Sequence, residues 1–420
     1  MTQHNIRVLH TSDWHLGRAL HGQKRYEEFD QLLDWMIDTL HDQQIDVLLI
    51  AGDVFDTGTP SNRAQHQYYR FLTRVAGTGC RHVVIIGGNH DSPSFLNAPA
   101  PLLKVLNVHV VGAMADTPAD EVLVLRDSKG NPELIVCAVP YLRDRDIRTV
   151  DAGESIADKE QKLLDGIRSH YAAVCAEALN IHTRLTAAQQ QTVPIIGMGH
   201  LFTAGGRTTD DDGVRDLYVG SLAHVGVDIF PAMLDYVALG HLHVPQAVGD
   251  REHVRYSGSP LPMGFGEALQ QKSVCVLCFE QRQPQLTLLP VPGYQRLRQL
   301  RGNLQGLLSD LGQLVQDNIS TWVEILYTGD EIVPDLREQL ENALGDSAGL
   351  VSILRIRHAR LAANILQASA PGQTLDDLTP LDVFQRCLSV RDVPEAQRQD
   401  LLYAYQEILQ QLHEHDHAES

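Results

Sequence analysis

The stretch Ile6-Arg7-Val8-Leu9-His10-Thr11-Ser12-Asp13-Trp14-His15-Leu16-Gly17 decides how the chain reads. Residues 6–10 form an apolar run of strand length that empties into a polar loop holding Asp13 and His15. Working outward, the same grammar recurs. Apolar runs at 47–50 and 83–86 end in the turns Gly52-Asp53 and Gly88-Asn89-His90-Asp91. Amphipathic stretches at 26–41 and 64–76 separate the three runs, with apolar residues at helical spacing. Strand, helix, strand, helix, strand predicts an α/β sheet with crossover helices.

Further strands are expected at 108–111, 122–125, 134–138, 194–198, 236–239 and 273–279, with a hairpin turn at 127–131 and a long helix over 157–179. Two of these runs also end on imidazoles, at Gly199-His200 and at Gly240-His241-Leu242-His243. Open α/β sheets place their sites at the carboxyl ends of strands. Taken singly, each histidine reads as a hydrogen-bonded surface residue and each glycine as a turn residue. Taken together, five loops bring carboxylate, amide and imidazole groups to one edge of one sheet. Burying them there without a metal would leave costly unpaired polar groups. The mixed oxygen and nitrogen donors suit manganese, iron or zinc rather than calcium.

The chain has 420 residues, with 34 Lys+Arg against 53 Asp+Glu and a net charge of −19. That length allows two or three domains, and 43% hydrophobic with 21% charged residues describes a soluble globular protein. An acidic chain is not the usual footprint of a protein that coats nucleic acid. The start lacks a basic-then-apolar leader and no apolar run approaches the roughly 20 residues of a membrane span, so a cytoplasmic protein without membrane contact is expected. Six scattered cysteines give no disulfide framework. Cys275 and Cys278 form a CxxC on an expected strand, which points their thiols to opposite faces and makes them ordinary buried cysteines.

The first domain is expected over 1–290, where Pro290 and Pro292 bracket a linker. Residues 291–373 then read helix (303–316), strand (321–327), helix (334–344), strand (350–356), a small α+β domain. A break at 371–373 leads to a helical tail over 374–420, with helices at 380–388 and 394–413 starting at Pro380 and Pro394. Leu401, Leu402, Tyr405, Ile408, Leu409 and Leu412 follow helical spacing, which fits a helix packed on its own chain as well as a docking helix. The three segments carry −10, −2 and −7, so the tail is the most acidic for its length and suits a basic partner face better than DNA.

In order, D-x-H, G-D, G-N-H-D, G-H and G-H-x-H, between Arg7 and His243, resemble the calcineurin-like metallophosphoesterases. The stretches from His10 to Gly17, Ala51-Gly52-Asp53-Val54-Phe55-Asp56 and Tyr256-Ser257-Gly258-Ser259-Pro260 narrow the resemblance to the SbcD family of nuclease subunits. The resemblance implies a β-sandwich flanked by helices, with a small α+β cap domain and a C-terminal helical tail. It implies two divalent metal ions, manganese first, with magnesium, iron or zinc as alternatives. Asp13, His15, Asp53 and His243 would hold one ion; Asp53, Asn89, His200 and His241 would hold the other. Asp53 would bridge, since one carboxylate can span metals roughly 3.5–4 Å apart. Asp13/His15 and His241/His243 are i,i+2 pairs that point the same way if strand conformation persists. Two such ions would set +4 against −2 from Asp13 and Asp53, making the pocket locally positive.

His90, next to Asn89, is the candidate proton donor to a leaving 3′-oxygen. Asp91 either orients His90 or caps the following turn. Asp56 and His21 are candidates for outer support. Arg18, Lys24, Arg25, Asn62 and Arg63 could contact phosphates, though each reads more simply as a solvated surface residue. Arg355, Arg357 and Arg360 form the one concentrated basic run of the cap; placed on opposite sides of a strand end, they are not assigned to DNA.

The implied function is a manganese-dependent DNA nuclease serving repair, recombination and replication. It would act as a 3′–5′ exonuclease on duplex ends and an endonuclease on single strands and hairpins. The implied partner is an SbcC-type coiled-coil ATPase bound by the tail, with a homodimer inside a heterotetramer. The competing reading is a small-molecule or cyclic-nucleotide phosphodiesterase of the same superfamily, because the same ligands serve both. A scaffold that has lost catalysis is a third, and the complete ligand set speaks against it.

Overall fold

The computed structural model describes residues 5–147, 155–189, 192–203, 205–207, 225–329, 331, 333–345 and 349–359, with eight residues of the tail. The chain divides into two compact units, Met1–Leu297 and Arg298–Ser420.

In order, the first unit forms β1 (Ile6–Thr11), the short hairpin β2 (Ala19–Leu20) and β3 (Gln23–Lys24), β4 (Val47–Ala51), β5 (His82–Ile86), β6 (Val108–Val111), β7 (Val122–Arg126), β8 (Pro132–Ala138), β9 (Ile195–His200), β10 (Tyr236–Gly240), β11 (Gln246–Val248), β12 (Arg251–Tyr256), β13 (Ser273–Glu280) and β14 (Gln283–Pro290). One sheet has the order β14-β13-β1-β4-β5-β6 and the other β11-β12-β10-β9-β8-β7. Strands β1, β4, β5 and β6 run parallel, as do β12, β10, β9 and β8. The expectation of a single sheet edge is therefore corrected. Local apolar runs announce strands, but nothing in them says which sheet each strand joins.

Burial on both faces explains the uninterrupted apolar runs. Val8, Leu49 and Ile86 of the first sheet share a buried cluster with Val136, Met198 and Ala238 of the second. The opposite face of the first sheet (Leu9, Leu48, Ile50, Ile85) packs on helices Tyr26–Asp42 and Asn62–Val75 through Phe29, Met36, Tyr68 and Phe71. The second sheet packs Ile135, Ile195 and Leu239 against Tyr171, Val174 and Ala178 of helix Ile156–Gln189. The result is a sandwich with helices outside. Among the described residues, no helix is long and apolar enough to cross a membrane. Five cysteines are free thiols; Cys275 is buried and Cys278 half-buried, while Cys387 lies outside the described residues.

The supposed linker at Pro290 is the end of β14, which pairs in full with β13. Its two prolines are tolerated because β14 is a sheet edge. The second unit, taken by itself, has a three-stranded sheet of β15 (Arg296–Gly302), β16 (Thr321–Tyr327) and β17 (Val351–His358), with helices Leu304–Gln316 and Leu336–Leu344. Asn303 caps the first helix by accepting from the Gly306 N–H at 2.9 Å. Strand β15 went unread because Arg296, Arg298 and Arg301 break its apolar alternation. Strand β17 runs on to His358, so Arg355 and Arg357 share one side of it, and Arg355 meets buried Glu324 at 3.4 Å. Arg360 lies outside the described residues, as do Pro380, Pro394, Ile408, Leu409, Leu412 and the break at 371–373. In the tail, Leu381, Phe384, Leu388, Leu401, Leu402 and Tyr405 are helical, and the Phe384 and Tyr405 rings stack at 4.0 Å.

One polar group bridges the sandwich interior. His10 on β1 is fully buried, with Nε2 donating to the Leu239 carbonyl at 3.2 Å and Nδ1 accepting from the Tyr236 hydroxyl at 3.0 Å. Burial, with nearby Arg255 acting in the same direction, lowers its pKa to about 3. Between that value and the ordinary 6.5 the unfolded chain binds a proton that the folded chain refuses, so stability falls as pH falls through this window. From pH 7.5 to 5 the loss is about 2 kcal/mol. Thermal unfolding of His10→Asn should show a smaller drop between those pH values than the parent, by about 2–4 °C per kcal/mol. An equal drop would remove His10 from the account.

Candidate metal centre

The carboxyl ends of β1, β4 and β5 in one sheet and of β9 and β10 in the other carry the five loops. The chain leaves these strands through left-handed backbone. Asp13 has φ 53°, His15 49°, Asp53 49° and His241 102°, conformations that strain non-glycine residues. Strand conformation thus does not persist through the i,i+2 pairs, and the pleat is not what aims them. Interlocked main chain does so instead. Asp13 N donates to Gly52 O at 3.0 Å, His15 N to Asp53 O at 3.0 Å, and His241 N to Asp13 Oδ1 at 2.8 Å. The loops pack so closely that a Cβ on Gly88 would lie 2.2 Å from Asp53 Oδ1, and one on Gly240 would lie 1.9 Å from Ala51 O.

Asp13, His15, Asp53, His200, His241 and His243 are all buried, with Asn89 half-buried among them. His15 Nε2 lies 3.2 Å from His243 Nε2 and 3.7 Å from Asp53 Oδ2. His200 Nε2 lies 3.3 Å from Asp53 Oδ2 and 2.9 Å from Asn89 Oδ1, which is also 3.3 Å from His241 Nδ1. Asp13, His15 and His243 form one compact donor group, and Asp13, Asp53 and His200 another. Asp53 faces both halves of the cluster.

The protonation pattern shows what these donors fit. His15 turns Nδ1 toward the Asp56 carboxylate (3.3 Å) and His243 turns Nδ1 toward Glu267 (3.5 Å). A carboxylate only accepts, so each one favours the ring form with its proton on Nδ1; the two Nε2 atoms then face each other at 3.2 Å, where one shared proton or a cation satisfies both. His200 donates Nδ1–H to the Ala51 carbonyl at 3.0 Å, which leaves its Nε2 bare before Asp53 and Asn89. Among the described residues, the buried His241 Nε2 has no hydrogen-bond partner. Acceptors crowded onto acceptors fit a cation. A proton answers the same demand: burial lowers the His200 pKa, but Asp53 outweighs it and raises the value to about 9. Burial would raise Asp53, and the surrounding His200 and His15 instead hold it well below the usual carboxylate range.

His90 lies at the edge of this cluster, its ring edge-on to His15 at 4.8 Å between centroids. Its N–H donates to Asp53 Oδ1 at 2.8 Å and its Nδ1–H to the Asp56 carbonyl at 2.8 Å. Asp91 does not orient it. The Asp91 carboxylate accepts from the main-chain N–H of Val54, Phe55 and Gly88 and so staples the Asp53 loop to the Asn89 loop. Asp56 supports His15 and binds Arg18 at 3.1 Å, and Arg18 also reaches the Met263 carbonyl. His21 stacks on Phe265 at 5.7 Å.

Other expectations part from the site. Arg25 is fully buried in a two-pronged pair with Glu28 and donates to Pro262 O, so it is a structural anchor and not a phosphate contact. Arg63 is bound to Asp30 at 2.9 Å on an exposed helix face. Asn62 begins that helix, and Lys24 lies exposed on the hairpin. Two residues went unread altogether: Glu267, behind His243, and its partner Lys272. The only sequence sign of them is an acid and a base five apart in the apolar run that follows Ser257-Gly258-Ser259-Pro260.

The calcineurin-like phosphoesterase family matches residues 6–245, which contain all five loops. The SbcD_C family, described as type 5 capsule protein repressor C-terminal domain, matches residues 293–392. The SbcD subunit of the SbcCD nuclease from Escherichia coli (strain K12) is 37% identical over 407 residues, covering 95% of this chain and 97% of that protein. The protein of the same name from Bacillus subtilis (strain 168) is 35% identical over 274 residues, covering 65% of this chain and 66% of its own length. That of Rhodobacter capsulatus is 36% identical over 278 residues, covering 65% of this chain and 66% of its own length. Matched in its sandwich unit and in its C-terminal region, and aligned almost end to end with one relative, the chain belongs to the SbcD family of calcineurin-like phosphoesterases.

Proposed function

We propose that this chain is a manganese-dependent, two-metal DNA nuclease that trims duplex ends from the 3′ side and cuts single strands and hairpins. The buried cluster of carboxylate, amide and imidazole groups around Asp53 carries the proposal. Phosphodiester hydrolysis follows from the family; the nucleic-acid substrate rests on the names of the relatives, which are nuclease subunits. Asp13, His15, Asp53 and His243 would hold one ion, and Asp53, Asn89, His200 and His241 would hold the second. Two divalent ions bound there would supply an activated water near neutral pH and would neutralise charge on the phosphoryl oxygens.

The chain's own residues do the rest. The His90 Nδ1 proton is committed to the Asp56 carbonyl, so the ring gains and loses its mobile proton at Nε2. From there it gives a proton to the leaving 3′-oxygen. Asp56 keeps the His15 tautomer, while Asp91 fixes the distance between the Asp53 and His90 loops. Left-handed backbone at Asp13, His15, Asp53 and His241 holds the donors in place before any ion arrives.

Residues 1–290 form the nuclease domain in this reading, 291–373 a cap beside the DNA, and 374–420 a tail for an SbcC-type coiled-coil ATPase. Two chains assemble with that ATPase into a heterotetramer in the cytoplasm. The acidic tail suits a basic partner face. The test is a hairpin-ended duplex incubated with the chain and the ATPase, with manganese and ATP. Cleavage at the hairpin and shortening from 3′ ends are expected. Hydrolysis of cyclic nucleotides without any cleavage of DNA would favour a small-molecule phosphodiesterase instead.

A further inference from the structure

We propose that Glu267 and Lys272 are a positioning pair that locks the His243 ring with Nε2 toward the metal centre, and that the pair governs occupancy of one metal position only. This rests on the two-metal reading above. Neither residue lies in the five metal-bearing loops. Glu267 ends the turn Phe265–Glu267 and Lys272 directly precedes β13; they are 0% and 3% exposed. Glu267 Oε1 faces His243 Nδ1 at 3.5 Å, and Oε2 meets Lys272 Nζ at 2.5 Å and accepts from Met263 N at 3.0 Å. Lys272 Nζ donates to the His243 carbonyl at 2.9 Å and to Ser259 Oγ at 3.1 Å. The pair therefore grips His243 at both ends, ring and main chain.

A buried ion pair gives little net stability, and apolar side chains of the same volume would fill this turn as well. They could not receive the His243 Nδ1 proton. A carboxylate behind an imidazole fixes its tautomer and orientation and strengthens the opposite nitrogen as a ligand. Lys272 leads into β13 of the sheet that holds β1, and His243 follows β10 of the other sheet, so the pair also ties the sheets together where the donors converge. The second half of the cluster is oriented differently. His200 is aligned by the Ala51 carbonyl, and Asn89 Oδ1 lies 2.9 Å from His200 Nε2 and 3.3 Å from His241 Nδ1, with neither Glu267 nor Lys272 among these neighbours.

Manganese titration of the full chain by calorimetry, with thermal unfolding of the metal-free protein, tests the proposal in Glu267→Gln and in the double variant Glu267→Gln/Lys272→Met. The double variant removes both charges and so leaves neither buried alone. The parent should bind two ions. Both variants should weaken one event by about 10–100-fold and leave the other within about threefold. In the double variant the metal-free unfolding temperature should stay close to that of the parent. Nitrogen-15 spectra should show the His243 Nδ1–H tautomer in the parent and a mixture in the variants. Two unchanged events in a folded variant would overturn the role of the pair. Equal weakening of both events, in step with a lowered unfolding temperature, would reduce it to a structural one and also overturn the proposal. A parent chain that binds no manganese would instead overturn the metal reading itself.

Discussion

Replacing Asp53 with alanine is expected to remove both metal ions and to lower hydrolysis by about 10⁴-fold, the scale on which members of a catalytic unit fail. Its carboxylate faces both halves of the cluster: Oδ2 lies 3.7 Å from His15 Nε2 and 3.3 Å from His200 Nε2. Oδ1 accepts the main-chain N–H of His90 at 2.8 Å, so the same substitution loosens the proposed proton donor. Metal analysis after dialysis against manganese should show two ions per parent chain and none in Asp53→Ala. Without the carboxylate, His200 also loses the larger of the two charges that raise its pKa, the other being Asp13, and burial pulls it toward the neutral ring. The variant should therefore stay folded while losing its metals. One ion retained at full affinity would show that Asp53 is not shared.

His90→Ala should separate binding from chemistry. Its ring Nδ1 is held by the Asp56 carbonyl and by none of the seven proposed ligands, and its main-chain N–H, which binds Asp53, survives the substitution. Two ions should still bind, and turnover should fall by about 10²–10⁴-fold, the range for a lost general acid. A substrate whose leaving group needs no proton, such as a nitrophenyl phosphodiester, should recover most of that loss. Full activity of His90→Ala on DNA would end the role given to His90. Loss of metal in this variant would instead make His90 part of the ligand scaffold.

The sequence carried the donors plainly because each ends an apolar run, and a run of five buried residues such as Val47–Ala51 is legible by itself. It did not carry the pairing. Strands β1 and β10 look alike as strings, yet they lie in different sheets, so a cluster read at one sheet edge is built across two. The supports were harder still. Asp56 could be guessed from its place in the Asp53 loop, whereas Glu267 and Lys272 become partners of His243 only through a fold that brings residues 243, 259, 267 and 272 to one point. Arg25 failed in the opposite sense. As a basic residue near the first loop it resembled a phosphate contact, and only the packing shows it buried on Glu28. Strands β14 and β15 escaped because prolines and arginines on exposed edges erase the alternation that marks a strand.

The central claim is that Asp53 lies between two divalent ions held by residues from both sheets. Anomalous diffraction at the manganese edge, from crystals grown with manganese, tests it most directly. Two peaks are expected on either side of the Asp53 carboxylate, one bordered by Asp13, His15 and His243, the other by Asn89, His200 and His241. A single peak, or none in contact with Asp53, would contradict it.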